Sequence, residues 1–213
     1  MILIGMFDSP FVRRVAVSMN LLGIPFQHRN WSVGRDFQRI QQFNPLGRVP
    51  TLVQSNGETL IESSAILDFL DEGAAPGRAL TPRSGSSRRE ALRIMAVATG
   101  AAEKGVAQVY ETAFRPAEKR YAPWMERCHT QMHAALAELE RMSQARAGAW
   151  LVGDRMTQAD ITSTCVYTFL VDALDINRSS AAYPGLGQIA ARCEALPEFS
   201  SVRAEWFAPA DLS

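Results

Sequence analysis

The chain has 213 residues, 47% apolar and 21% charged, with 22 Lys and Arg against 22 Asp and Glu. That length allows one large domain or two small ones with a real core, and the charge balance gives no long-range pull toward nucleic acid or an anionic membrane. Cys128, Cys165 and Cys193 are far apart and form no CxxC pair, which argues against a disulfide framework or a zinc site.

The first 72 residues alternate short strands and helices. "ILIGM" (2–6) is apolar throughout, as a buried central strand would be. Val12, Val15, Ala16, Met19 and Leu22 then recur at helical spacing, with Ser9-Pro10 as a start signal and Gly23 as a stop. A second strand is predicted over 25–31 and a short helix over 35–42. Strands at 50–53 and 59–62 flank "QSNGE", whose Asn56-Gly57 predicts a hairpin turn. Residues 63–72 read as a helix that Ser63 can cap.

"GAAPGRALTPRSG" (73–85) reads as a linker, and helical periodicity dominates beyond it. Helices are predicted near 86–114, 123–146, 157–172, 185–195 and 198–206. In the second, Trp124, Cys128, Met132, Leu136 and Leu139 share one face. Thr157 and Asp160 form a variant capping box, with Met156 and Ile161 spaced as a hydrophobic staple. The opening residues lack a basic leader and no apolar run is long enough to span a bilayer, so the expectation is a cytoplasmic protein that meets neither membrane nor nucleic acid.

Two patterns are set aside. His129 and His133 are spaced i, i+4 on a helix, but no acidic partner follows, so no metal is expected. "GLGQIA" (185–190) matches a dinucleotide fingerprint in letters only, since no strand precedes it.

Three motifs remain: "SPFVRRV" in the first strand–helix turn, "NPLGRVPTLV" (44–53) followed by "LIESSAILDFL" (60–70), and "LVGDRMTQADI" (151–161). Their order and spacing over nearly the whole chain resemble the cytosolic glutathione transferases. The resemblance implies an α/β thioredoxin-like N-terminal domain (1–77) that binds glutathione, followed by an all-α C-terminal domain (86–213). It also implies a homodimer with an active site near the interface.

Within the family, the position of Ser9 holds the residue that meets the glutathione sulfur. A serine hydroxyl can donate to a thiolate, and a helix N-terminus favours negative charge at the same place. The resemblance makes Val49-Pro50 a cis pair presenting Val49's backbone to the ligand, and places Arg48 where it could reach a ligand carboxylate. Glu62 can pair with an ammonium, and Ser63 at a helix start can bind a carboxylate, which suits the γ-glutamyl zwitterion. Phe11, with Phe7, Tyr110 and Phe114, is expected to line an apolar pocket for a small electrophile.

The implied function is a glutathione S-transferase acting in detoxification, with glutathione as cosubstrate. A glutathione-dependent isomerase or peroxidase, or a non-catalytic binding or regulatory protein on the same fold, are the alternatives. The absence of a cysteine at position 9 speaks against thiol–disulfide exchange, and "DSPFV" departs from the Ser-Ser-Cys pattern of the family's isomerases.

Overall fold

The computed structural model describes residues 1–176 and 182–208. Residues 177–181 and 209–213, between and beyond the predicted helices of the expected all-α domain (86–213), lie outside the described residues.

The N-terminal part is a four-stranded mixed sheet with helices on both faces. Strands β1 (Ile2–Ile4), β2 (Gln27–Arg29), β3 (Thr51–Val53) and β4 (Thr59–Ile61) stand in the order β2-β1-β3-β4. The β1–β2 pair is parallel, crossing over through α1 (Pro10–Leu22), and β3 pairs antiparallel with both β1 and β4. All strands are shorter than expected. The β3–β4 turn forms at Asn56-Gly57, with Asn56 Oδ1 accepting from the Glu58 N–H at 3.0 Å.

Alternation sorts the two sheet faces. Leu3 and Leu52, cross-strand partners, pack with Val15, Met19, Ile66 and Leu70 of α1 and α3 (Ser63–Glu72). Ile4 and Val53 point the other way and pack with Ile40 of α2 (Phe37–Gln41). Gly23 ends α1 in the left-handed region, at φ 69°.

Asp71 of α3 anchors the connection that follows, accepting from the Leu80 and Thr81 N–H groups at 2.6 and 2.8 Å. Helices α4 (Gly85–Ala113), α5 (Ala122–Gln144), α6 (Gln158–Leu174), α7 (Pro184–Glu194) and α8 (Pro197–Ser200) make the second part. Helix α6 is its centre: residues 158–167 are all buried, because α4, α7 and α1 pack round it. No described helix is long and apolar enough to cross a membrane.

Two expectations need correction. The helix expected over 198–206 stops at Ser200, and residues 203–208 run without regular structure. Trp124 leaves the buried face that Cys128, Met132, Leu136 and Leu139 share; it is exposed, with the Lys104 ammonium 5.5 Å from its ring.

The sequence also gives no hint that Arg13 and Arg14 are buried. The sheet covers one side of α1 and the helical domain the other, leaving little of its surface to water. Arg13 makes a bidentate pair with Glu194 of α7 at 2.6 and 2.7 Å and donates to the Val202 and Phe199 carbonyls. It joins the two parts of the molecule.

Candidate functional site

A cavity of about 880 Å³ lies between the two parts. The β1–α1 turn and residues 33–39 and 46–49 form one side, and α4, α6 and Trp206 form the other. The first side carries Ser9, Arg35, Asp36, Arg39 and Arg48. The second is apolar, with Val109, Tyr110, Phe114, Phe169 and Trp206.

Ser9 sits where β1 hands over to α1. Its Oγ accepts from the Val12 N–H at 3.5 Å, a long bond that only weakly commits the oxygen to capping. Ser9 lines the cavity at the positive end of a 13-residue helix. Gly5 allows this tight handover. It adopts φ 131°, and a Cβ there would stand 2.5 Å from Val12 Cγ2 and 2.8 Å from Val49 Cβ.

Asp8, unremarked in the sequence, lies beside Ser9 in the cavity wall. Burial pushes its carboxyl above the usual value, while the backbone N–H groups of Phe207, Ser9 and Asp8 itself work the other way. Tyr110 on the facing wall is also raised by burial; the charge of Arg48 opposes that shift and the charge of Asp8 adds to it.

The Val49-Pro50 bond is cis. Val49 lines the cavity and Pro50 is buried behind it. Asn44 fixes this loop: its Nδ2 donates to the Arg48 carbonyl at 2.8 Å and its Oδ1 accepts from the Leu46 N–H at 3.0 Å. The sequence shows Asn44 only as one letter of a motif, yet it is buried and supports Arg48 and Val49 from below.

Glu62 and Ser63 lie outside the cavity lining, at the start of α3. Glu62 is exposed and holds φ 71°, a conformation that costs a non-glycine residue about 1–3 kcal/mol. Ser63 is fully buried. Its Oγ donates to Glu62 Oε1 at 3.2 Å and accepts from Arg14 Nη2 at 2.6 Å. The N–H groups of this first turn have no partner within the helix, as at any helix start.

The structure thus brings Ser9, Phe11, Arg48 and Val49 onto one cavity wall, with Pro50 behind it and Glu62-Ser63 apart. Tyr110 and Phe114 line the cavity as expected. Phe7 does not; it stacks on His28 at 3.8 Å, away from the main opening. His133 Nδ1 pairs with the Tyr183 hydroxyl at 2.7 Å, and among the described residues no three His, Cys, Asp or Glu side chains group to hold a metal.

Comparison with known proteins places this architecture. The glutathione S-transferase N-terminal domain family matches residues 3–78, and the glutathione S-transferase C-terminal domain family matches residues 102–204. The uncharacterised GST-like protein YibF of Escherichia coli K12 is 33% identical over 139 residues, 65% of this chain and 67% of that one. A probable maleylacetoacetate isomerase of Vibrio cholerae is 26% identical over 227 residues, 96% of each chain.

Among solved structures, a glutathione S-transferase of Methylobacterium radiotolerans in complex with glutathione sulfonate superposes with a TM-score of 0.90 at 28% identity, covering 97% of this chain and 95% of that one. A glutathione transferase family member from Pseudomonas fluorescens with bound glutathione gives 0.81 at 27% identity, over 96% and 99%. The fold is a thioredoxin-like domain followed by a helical domain. The chain belongs to the glutathione S-transferase family.

Proposed function

We propose that the protein is a glutathione S-transferase that presents the glutathione thiolate to a small apolar electrophile. The observation that carries this reading is Ser9: the residue lines the cavity at the N-terminus of α1, and its hydroxyl is only weakly engaged with its own helix. The thiolate sulfur attacks the electrophilic carbon, a C–S bond forms, and the leaving group departs with its electron pair. The thiol proton has already gone to solvent.

The energetics are of the right size. A free thiol titrates near ~8.5, and lowering that by about two units requires roughly 2.7 kcal/mol of differential stabilisation. One hydrogen bond to a charged sulfur and one helix terminus together supply about that much.

The remaining roles follow. Val49's backbone pairs with the cysteinyl backbone of glutathione, Glu62 with its ammonium, and the first turn of α3 at Ser63 with the γ-glutamyl carboxylate. Arg48 takes the remaining carboxylate, and Phe11 closes the wall beside the sulfur. We place the glutathione-binding domain at 1–77 and the helical domain at 86–213, in a cytoplasmic homodimer with a detoxifying role.

The test is ultraviolet thiolate absorbance of bound glutathione across pH, in the wild type and Ser9→Ala. Thiolate should appear well below pH 8.5 in the wild type and not in the mutant, with binding retained in both. Bound glutathione that titrates as it does in solution would reduce Ser9 to a helix cap. Relatives named maleylacetoacetate isomerase support a second reading, glutathione-dependent isomerisation. Product analysis separates the two, because an isomerase returns its glutathione unconsumed.

A further inference from the structure

The described chain ends in a segment that does not pack like a helix remnant. Its base is fixed by Arg13, whose Nε donates to the Val202 carbonyl at 3.1 Å and whose Nη2 donates to the Phe199 carbonyl at 3.2 Å. One residue on, Arg203 pairs with Asp172 of α6 at 2.7 Å. Three residues further, Trp206 sets its ring against Phe169 of α6, with centroids 5.5 Å apart and the planes at 73°. Asp8, beside Ser9 in the β1–α1 turn, lines the same two cavities that Trp206 lines. The segment thus crosses from the helical domain to the β1–α1 turn.

Trp206 occupies a particular place along that path. It lines the main cavity on one side and a small cavity lined by Arg13, Asp172 and Arg203 on the other. Asp8 and Phe169 line both cavities as well, so these three residues together stand between them. Its neighbours on the cavity side, Tyr110, Phe114 and Phe169, are aromatic and stand opposite the arginine-bearing wall. This aromatic end carries none of the polar groups assigned above to glutathione.

We propose that residues 203–208 are a strap completing the acceptor half of the site, and that Trp206 is its specificity-determining residue. This rests on the transferase reading of the same cavity. Held edge-on by Phe169 and anchored by Arg203–Asp172, the indole gives a flat acceptor a surface to pack on. A small alkyl acceptor makes little use of that surface. The strap thereby favours aromatic electrophiles over compact ones without touching glutathione.

The experiment compares Trp206→Ala and Asp172→Asn with the wild type on two electrophiles, 1-chloro-2,4-dinitrobenzene and iodomethane. Glutathione affinity is measured separately by calorimetry. Trp206→Ala should lower kcat/KM for the aromatic substrate about tenfold, with the alkyl substrate and the glutathione Kd changing less than about twofold. Asp172→Asn, which keeps the Trp206 side chain but releases the anchor that holds its segment, should shift the ratio the same way by about threefold. Equal losses on both electrophiles, or no change in the ratio in either variant, would overturn the strap while leaving the transferase reading standing. A wild type that fails to bind glutathione would overturn both.

Discussion

Arg14 Nη2 donates to the Ser63 hydroxyl at 2.6 Å, so a buried cation on α1 holds the first turn of α3. The same guanidinium reaches Ser64 Oγ at 3.1 Å and Thr162 Oγ1 at 3.4 Å, and its Nε has no hydrogen-bond partner. Three hydroxyls are weak compensation for a desolvated charge. Burial accordingly lowers the Arg14 pKa to about 10, with the charge of Glu62 opposing that shift.

If the first turn of α3 holds the γ-glutamyl end as proposed, Arg14 is expected to position that turn while adding little to stability. Arg14→Met keeps the length and removes the desolvated charge. Its unfolding free energy should change by less than about 2 kcal/mol. Ser63 loses its strongest partner in the same variant, and the proposed γ-glutamyl subsite loses its orientation. The glutathione Kd should rise about tenfold, roughly 1.4 kcal/mol, with kcat at saturating glutathione much less affected. Calorimetric titration that gave a wild-type Kd would remove Arg14 from the site.

The Arg13–Glu194 pair is a different kind of contact, a true ion pair between the two domains. Burial works against the Glu194 charge, but the hydrogen bonds and charge of Arg13 outweigh it and hold the carboxyl below its usual 4.5. The folded state then binds fewer protons than the unfolded state, so this contribution rises with pH through that interval. It is fully present above about pH 4.5 and is lost as pH falls through the depressed folded value. Asp8 and Asp160, both raised by burial, have the opposite sign, so the informative quantity is a difference between proteins. Glu194→Gln should cost about 3 kcal/mol at pH 7, and the gap from wild type should shrink as the pH approaches 4. Denaturant melts at four or five pH values decide it; a gap independent of pH would mean that hydrogen bonding, not charge, carries the contact.

These two arginines also show where the sequence could be read and where it could not. Ser9-Pro10 and Asn56-Gly57 are local signals, and each produced the turn it codes for. The motif around Val49 identified a cavity wall. Arg13 and Arg14, by contrast, are adjacent charges on an amphipathic helix, a pattern that normally faces water. Their burial depends on α6 and α7 arriving on the far side of α1 some 150 residues later in the chain. Trp206 and Asp8 escaped notice for the same reason: their meeting places belong to the tertiary fold, and nothing in their immediate neighbours announces them.

The capping box of α6 was legible in full, and it yields a prediction about coupling. Thr157 Oγ1 accepts from the Ala159 N–H at 3.3 Å, and Asp160 Oδ2 accepts from the Thr157 N–H at 2.9 Å. The structure adds a third bond, Leu151 N–H to Asp160 Oδ1 at 2.8 Å, which fixes the preceding loop. Asp160 thus serves two buried N–H groups and Thr157 serves one. Thr157→Ala should cost about 1 kcal/mol. Asp160→Ala should cost about 3 kcal/mol, because it leaves two buried donors unsatisfied. The hydroxyl of Thr157 also donates to Asp160 Oδ2 at 3.1 Å, so the two residues act as one unit. The double variant should therefore cost less than the sum by 0.5 kcal/mol or more, roughly the lower end of couplings within one hydrogen-bond network. Additive losses in urea titrations of the four proteins would show that the loop bond and the cap are independent.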